Sequence, residues 1–178
     1  SNKNIVIIPV RLGSWRFRDK PLTDILGMPM LEHAYRRSLL AKQVDEVLVA
    51  GCDEEIQVIC ESKIIKYIQT SKECPTALDR VNEASRQIGG SEDSIIINVQ
   101  GDEPAFHPTI IDNIIDKIKQ NNFDNFNYVE KVADASDLTN KHRIKAVIGN
   151  SRLIYLTRNS VPSTVFDIEK KTTHYRQT

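Results

Sequence analysis

The chain has 178 residues, with 24 lysines and arginines against 24 aspartates and glutamates, so its formal net charge is zero. Such a balance argues against a large surface for nucleic acid or an anionic membrane. No apolar run approaches the roughly 18 residues of a membrane-spanning helix, and an odd number of cysteines without a C-x-x-C pair indicates reduced thiols. We therefore expect a globular, cytoplasmic chain that has no membrane span and does not bind nucleic acid.

Strand and helix patterns alternate over residues 1–120. In chain order, the sequence predicts a strand at 6–8, a helix over 29–42, a strand at 44–50, a helix over 53–63, a strand at 64–70, a helix over 76–88, a strand at 94–100 and a helix over 107–120. Beyond Asn121 the pattern weakens, although segments 144–149 and 152–158 predict a β-hairpin around Gly149 and Asn150. The alternation favours an α/β fold, with a mostly parallel central sheet, helices on both faces and three layers.

Three polar segments directly follow predicted strands. They are the basic loop at 11–20, GCDEE at 51–55 and QGDEP at 100–104. The 94–100 strand is continuously apolar, which is typical of a strand covered on both faces. In a parallel sheet the carboxyl ends of the strands meet at one edge, and ligands bind there. The sequence therefore predicts a ligand site built from these three segments.

The basic loop has the composition of a phosphate-binding loop. Gly13 and Ser14 allow the backbone to approach an anion closely, Arg11 and Arg16 can bind phosphate oxygens in bidentate fashion, and Lys20 adds a compact charge. The loop is not a Walker A motif, because G-x-x-x-x-G-K-S/T is absent. A solvated surface loop with scattered cations is the alternative; the position after the first strand favours phosphate.

The segment NVQGDEP places a carboxylate at the end of a buried strand. Asp102 there is a suitable ligand for Mg²⁺, which takes one or two protein carboxylates together with substrate phosphates. An ordinary acidic turn is the alternative. Since the basic loop is expected at the same edge, cations and carboxylate together indicate a site for a nucleoside triphosphate.

Charged residues elsewhere are less informative. Asp79 and Arg80 lie where the 76–88 helix begins, and Asp79 favours the helix dipole there, so a structural role and a ligand contact both stay open. Arg158, in the segment RNSVPS, is a further candidate for the ligand edge that the sequence pattern alone does not place there.

Several motifs occur in an order shared with a known family. The segment IPVRLGSWRFRDKPLTDILGMPM is similar to the signature I-P-A-R-x-x-S-x-R-x-x-K-P-L…G-x-P-M, and DEVLVA, IIINVQGDEP, NKHRIKAV and LTRNSVP follow it. Together they resemble the CMP-Kdo synthetases, the 3-deoxy-manno-octulosonate cytidylyltransferases. The likeness covers nearly all of the chain.

The resemblance implies a Rossmann-like nucleotidyltransferase fold and a homodimer. It implies a Mg²⁺-dependent reaction in which CTP and an acidic 2-keto sugar, Kdo or similar, give a CMP-sugar and pyrophosphate for lipopolysaccharide or other surface polysaccharide. The implied catalytic residues are Arg11, Lys20 and Asp102, with Asp102 also the metal ligand. The implied nucleotide contacts are Arg11, Gly13, Ser14, Arg16, Lys20, Asp79 and Arg80. The implied sugar contacts are Gln100 and Arg158.

The chain departs from the family pattern at three places. Arg18-Asp19 stand where the family has P-G, Gly51-Cys52 stand where it has T-D, and CPTALDR stands where it has H-x-S-G-T-D/E-R. The last change leaves open a different sugar or nucleotide, including an amino sugar. A non-catalytic nucleotide-binding homologue is a further alternative.

The final run THYRQT resembles the segment that precedes a later family motif, G-x-D-T-P-E-D-L, which supplies a second metal carboxylate. We therefore expect residues 1–178 to form a single nucleotidyltransferase domain that is incomplete at its C-terminus. The second metal ligand is not assigned from this chain.

Overall fold

The computed structural model describes residues 2–13, 19–89, 91–121, 124–132, 134, 136–150, 152–160 and 175–177, the last range for its backbone only. The chain divides into two compact units, residues 1–121 and residues 122–178, and each is described by itself. The single-domain organisation expected from the sequence stays a prediction.

The first unit alternates strands and helices as the sequence predicts. Its elements are β1 (Asn4–Pro9), β2 (Asp24–Ile25), β3 (Met28–Pro29), α1 (Met30–Ser38), β4 (Glu46–Gly51), α2 (Glu54–Ser62), β5 (Tyr67–Gln69), α3 (Ala77–Gln87), β6 (Ile95–Asn98) and α4 (Thr109–Asn121). A short 3₁₀ turn covers Lys20–Leu22. The helices are shorter than the apolar patterns by a few residues, because the flanking residues form caps and turns.

The central sheet has the strand order β5-β4-β1-β6, and every neighbouring pair is parallel. Alternate residues of β1 point to opposite faces. Val6 and Ile8 pack in one apolar core with residues of α1, α2 and α4, whereas Ile5 and Ile7 pack in a second core with residues of α3. Helices therefore cover both faces of the sheet, and the predicted three-layer α/β fold is confirmed.

Strands β1 and β4 are the most completely buried strands of this sheet, whereas β6 is covered on both faces, as predicted, but is only half-buried. All six residues of β1 are buried, because it lies between β4 and β6. In β6 only Ile97 is buried, and Ile95, Ile96 and Asn98 are half-buried. This strand lies at the edge of the sheet formed by the described residues, so it is less buried than its continuous apolar sequence predicts.

One acidic side chain is buried in α1. The Glu32 residue is only 2% exposed; its Oε1 accepts from Arg36 Nε at 2.7 Å and its Oε2 lies 3.4 Å from Lys63 Nζ. Burial raises the pKa of this carboxyl, but the bonds and charges of Arg36 and Lys63 outweigh burial and hold the pKa below its ordinary value. The ion pair between Glu32 and Lys63 thus joins α1 to the end of α2, while the pair with Arg36 lies within α1.

Replacing Glu32 with glutamine is expected to lower the free energy of unfolding at pH 7 by about 1–2 kcal/mol, since charged hydrogen bonds are lost and both cations are partly solvated. A depressed folded-state pKa stabilises the fold above the unfolded pKa of roughly 4.3, and this contribution disappears as the pH falls through the folded value. Urea unfolding at pH 7 and pH 3 should therefore show a large difference between the two proteins at pH 7 and a smaller one at pH 3. A Glu61→Gln control removes an exposed carboxylate; a pH-independent difference for Glu32→Gln would contradict the account.

The second unit contains β7 (Val129–Lys131), α5 (Ser136–Thr139), β8 (Lys145–Gly149), β9 (Arg152–Thr157) and β10 (Tyr175–Gln177). Its sheet has the order β7-β10-β8-β9, with antiparallel pairs. The predicted hairpin is confirmed as β8 and β9. Asn150 has φ 49° at the turn, a left-handed conformation that asparagine tolerates.

Among the described residues, no helix has both the length and the apolar character needed to cross a membrane.

Candidate active site

A lysine and an aspartate from two separate loops meet beyond the carboxyl ends of the parallel strands. Lys20 lies in the loop that follows β1, and Asp102 lies in the loop that follows β6. The distance from Lys20 Nζ to Asp102 Oδ2 is 2.5 Å, and both side chains are 44% exposed. The structure therefore brings together the cation and the carboxylate that the sequence predicts at this edge, and leaves both accessible to a ligand.

The basic loop is anchored by a residue that the sequence did not single out. Val10 N donates to Ala50 O, and Leu12 N donates to Asp53 Oδ2 at 2.9 Å. Asp53 occupies the N-cap position of α2, in the GCDEE segment after β4. Its position just past a strand end was visible in the sequence, but its contact with a residue 41 positions away was not. The carboxylate thus joins two of the three predicted ligand segments.

Gly101 lies in close contact with the first strand and its exit. A Cβ atom at this position would lie 2.7 Å from Val10 Cγ1 and 3.6 Å from Pro9 O. Gly101 and Val10 are both buried, and the β-branched valine has little rotamer freedom with which to move away. The absence of a side chain at Gly101 therefore allows the loop carrying Asp102 to pass directly over the end of β1.

Replacing Gly101 with alanine is expected to lower the free energy of unfolding by about 1–3 kcal/mol, the usual cost of overpacking a core. Urea unfolding measures this change. In the double variant Gly101→Ala, Val10→Ala, the smaller side chain at position 10 leaves room for the new methyl group. The double variant should therefore lose less free energy of unfolding than the sum of the losses of the two single variants. Strictly additive losses would show that the Val10 contact is not the cause.

The structure describes some of the remaining residues that the sequence predicts at this edge. Arg11 is exposed immediately after the first strand, and Gly13 has φ +92°, a conformation that favours glycine. Gln100 is half-buried directly before Gly101. Ser14 and Arg16 lie outside the described residues. Ligand contact by each of these residues stays a prediction.

Asp79 and Arg80 form internal contacts. Asp79 and Thr76 form a reciprocal capping box at the start of α3, with Thr76 Oγ1 accepting from Asp79 N at 3.2 Å. Arg80 is 2% exposed and donates through Nη1 to Thr70 Oγ1 and to Ser71 O. These contacts favour the structural alternative, while a nucleotide contact by either residue stays a prediction.

A thiol begins the CPTALDR segment that leads into α3. Cys74 Sγ donates to Glu83 Oε2 at 3.1 Å, and Ser71 N donates to Glu83 Oε1 at 2.8 Å. Burial raises the pKa of the Cys74 thiol, and the bond to Glu83 raises it further. The carboxylate therefore fixes residues 71–74 against α3, and the thiol stays protonated near neutral pH.

Arg158 follows β9 in the second unit. Its Nη1 donates to Lys141 O at 3.5 Å and to His142 O at 3.1 Å, and the residue is exposed. The side chain is therefore held by the loop that precedes β8. A contact between Arg158 and a sugar stays a prediction.

A divalent cation fits the donor set at the sheet edge only if substrate oxygens complete its coordination. Within the described ranges, no group of three or more histidine, cysteine, aspartate or glutamate side chains could hold a metal by itself. Asp102 offers one accessible carboxylate, and Mg²⁺ commonly takes one or two carboxylates plus phosphate oxygens. The residues thus suit a metal ion that is shared with a bound phosphate.

The parallel sheet has helices on both faces, and a lysine–carboxylate pair lies beyond the carboxyl ends of its strands. This arrangement suits a nucleotidyltransferase. Comparisons with known proteins agree with this class. A family model described as cytidylyltransferase matches residues 5–175. The chain belongs to the cytidylyltransferase family.

Named relatives are found among 8-amino-3,8-dideoxy-manno-octulosonate cytidylyltransferases. The protein from Shewanella sp. (strain W3-18-1) is 35% identical over 161 residues, which cover 89% of this chain and 66% of the relative. The protein from Shewanella frigidimarina is 34% identical over 163 residues, which cover 90% of this chain and 66% of the relative. The chain thus spans 66% of the length of each.

A solved structure extends the likeness to the fold. The structure titled CMP:2-keto-3-deoxy-manno-octonic acid synthetase complexed with CTP superposes with a TM-score of 0.84 at 27% identity. The match covers 100% of this chain and 72% of that protein. The predicted Rossmann-like fold and the resemblance to the CMP-Kdo synthetases are therefore confirmed.

Proposed function

We propose that this protein couples CTP to an acidic 2-keto sugar of the 3-deoxy-manno-octulosonate type and releases pyrophosphate. The observation that carries the proposal is the Lys20–Asp102 pair at the carboxyl edge of the parallel sheet. Family membership supports the choice of a cytidine nucleotide. The product, a CMP-activated sugar acid, suits the assembly of surface polysaccharide or lipopolysaccharide.

In the proposed reaction, the anomeric hydroxyl oxygen of the sugar attacks the α-phosphorus of CTP in line. A bond forms between that oxygen and the α-phosphorus, and the bond from the α-phosphorus to the bridging oxygen breaks. Pyrophosphate leaves with the electron pair, and the hydroxyl proton passes to solvent. Because no covalent enzyme intermediate is required, the protein contributes positioning and charge stabilisation.

The cations of the loop after β1 would stabilise the negative charge on the triphosphate. Lys20 would exchange its bond to Asp102 for a bond to a phosphate oxygen, while Arg11 and Arg16 bind further oxygens. Asp53 supports this role by fixing Leu12 N, which holds the beginning of the loop at the sheet edge. Gly13 and Ser14 would let backbone amides approach the phosphates.

Asp102 would hold Mg²⁺ together with the triphosphate. The bound ion would supply charge neutralisation at the phosphates that react and leave. Before substrate binds, Lys20 and Asp102 neutralise each other's charge through their ion pair. Asp79 and Arg80 would shape the nucleotide region through their contacts at the start of α3.

The family resemblance supports a contact of Gln100 with the sugar, and it separately supports a contact of Arg158 with the sugar's carboxylate. Two sugar acids merit direct comparison: Kdo, which has an 8-hydroxyl group, and its 8-amino-3,8-dideoxy analogue. The names of the Shewanella relatives favour the amino sugar, and the altered CPTALDR segment also leaves a non-Kdo substrate open. A homodimer in the cytoplasm, suggested by the family resemblance, completes the proposal.

Pyrophosphate release tests the proposed function. The chain is incubated with Mg²⁺ or with EDTA, each of the four nucleoside triphosphates, and Kdo or the 8-amino analogue. Release with CTP and one sugar acid, and loss of release with EDTA, would support the proposal and identify the sugar. Release with another triphosphate would require a different nucleotide, and tight CTP binding without release from any pair would favour a nucleotide-binding module. Sedimentation analysis of the same sample tests the homodimer.

A further inference from the structure

Lys145 is a buried cation at the start of β8. It is 2% exposed, and its Nζ donates three hydrogen bonds, all of them to backbone carbonyl oxygens. The acceptors are Asn140 O at 2.8 Å, Arg143 O at 2.9 Å and Arg158 O at 2.7 Å. These three bonds use the full donor capacity of an ammonium group.

Burying this charge is unfavourable. An ion that is moved from water into a protein interior loses its hydration, and only its new hydrogen-bond partners compensate for that loss. Burial lowers the pKa of Lys145, and the neighbouring charge of Arg158 lowers it further, whereas Asp137 acts in the opposite sense. An apolar side chain would fill the same space without this penalty. The position therefore depends on the three donors that an ammonium group supplies.

Arg158 is connected to the same loop by its own side chain. Lys145 pairs with Thr157 across the hairpin, so Arg158 directly follows the paired residue. The guanidinium donates to the carbonyl oxygens of Lys141 and His142, which lie between the two loop carbonyls that Lys145 binds. Four successive carbonyl oxygens, residues 140–143, thus accept from these two cations. The shape of this loop consequently sets the direction of the Arg158 side chain.

We propose that Lys145 is a positioning residue, whose ammonium fixes residues 140–143 to the Arg158 backbone and thereby orients the Arg158 guanidinium. The inference rests on the proposed function only where it assigns this guanidinium to the sugar carboxylate. Both bonds of Arg158 to the loop use Nη1. The remainder of the exposed guanidinium is the part that would bind a carboxylate, so its orientation would decide affinity for the sugar acid.

Side-chain ¹⁵N NMR of the full chain tests the positioning without any substrate. The Nε–H signal of Arg158 is identified by its loss in Arg158→Met. In Lys145→Met, we expect the order parameter of this signal to fall below its wild-type value and below about 0.6, the range of a flexible group, because the loop is no longer fixed. Arg143→Met is the matched control: it removes the loop's ion pair with Asp137 at 3.1 Å but keeps the carbonyl that Lys145 binds.

Kinetics test the consequence for recognition. Lys145→Met should raise KM for the sugar acid about 10-fold and leave KM for CTP unchanged, since only the sugar contact is misplaced. In an Arg158→Met background, the Lys145 change should cost nothing further, because the two residues act as a unit. Additive losses would instead indicate a general structural role and would overturn the positioning assignment.

The two proposals can fail separately. A folded Lys145→Met chain in which Arg158 keeps wild-type order overturns the inference, whether or not the protein makes a CMP-sugar. If the wild-type chain gives no product, the proposed function fails, and the NMR comparison still decides the role of Lys145. If Lys145→Met does not fold, Lys145→Gln retains a donor amide without the charge. Wild-type order of Arg158 in that variant would also overturn the inference.

Discussion

Replacing Asp102 with asparagine is expected to lower turnover by about 10³-fold, because the carboxylate proposed to hold Mg²⁺ beside the triphosphate is lost, and with it the charge neutralisation that the ion would supply. The fold should persist, since the side chain is 44% exposed and its ion pair with Lys20 lies in solvent, where such pairs contribute about 0–1 kcal/mol. Steady-state pyrophosphate release measures the first effect, and urea unfolding measures the second.

Glu46→Gln is the matched control for Asp102. Glu46 also forms ion pairs with lysines, namely Lys3 and Lys66, but it begins β4 and so lies at the amino end of the strands. This control should keep its turnover within about twofold, because Glu46 lies at the opposite end of the strands from the proposed site. Full activity in Asp102→Asn would remove this carboxylate from the mechanism. Equal losses in both variants would point to destabilisation.

Replacing Lys20 with methionine is expected to lower kcat/KM for CTP by about 10²-fold, since a charged bond to the triphosphate is lost in the transition state. Methionine preserves most of the length of the aliphatic stem, so the change isolates the ammonium group. Binding measured by calorimetry should weaken more for CTP than for CMP, because the lost charge acts on the β- and γ-phosphates.

Lys66→Met is the control for this variant, since Lys66 forms an exposed ion pair with Glu46 away from the carboxyl edge. A loss of the same size for CMP and CTP would place Lys20 away from the terminal phosphates. If Lys20 and Asp102 act on one bound triphosphate, the double variant should lose less than the sum of the two single losses. Independent sites would give additive losses.

The α/β class could be predicted because it depends on local periodicity. The apolar run of β1 and the helical spacing of α4 identify their elements without knowledge of their neighbours. The extent of burial could not be predicted in the same way. The 94–100 segment is as apolar as β1, yet β6 is only half-buried, because its position at the edge of the described sheet is a property of strand order.

The residues of the candidate site likewise include some that the sequence could predict and some that it could not. Lys20 and Asp102 could be selected from the sequence, because each follows a predicted strand and parallel strands place their carboxyl ends together. Asp79 and Arg80 were candidates too, but in the structure the first caps α3 and the second is buried against Thr70 and Ser71. Asp53 was missed, because its importance lies in a bond to the distant Leu12 amide.

By itself, the sequence determined the alternation of strands and helices, the parallel sheet, the polar edge and the resemblance to the cytidylyltransferase family. Each of these follows from patterns within short segments or from their order along the chain. The tertiary structure alone decided the 2.5 Å pairing of Lys20 with Asp102, the fit of Gly101 against Val10, and the three carbonyl bonds of Lys145. These contacts depend on which backbone groups and side chains meet when separate segments pack, and packing geometry is not encoded in any one segment.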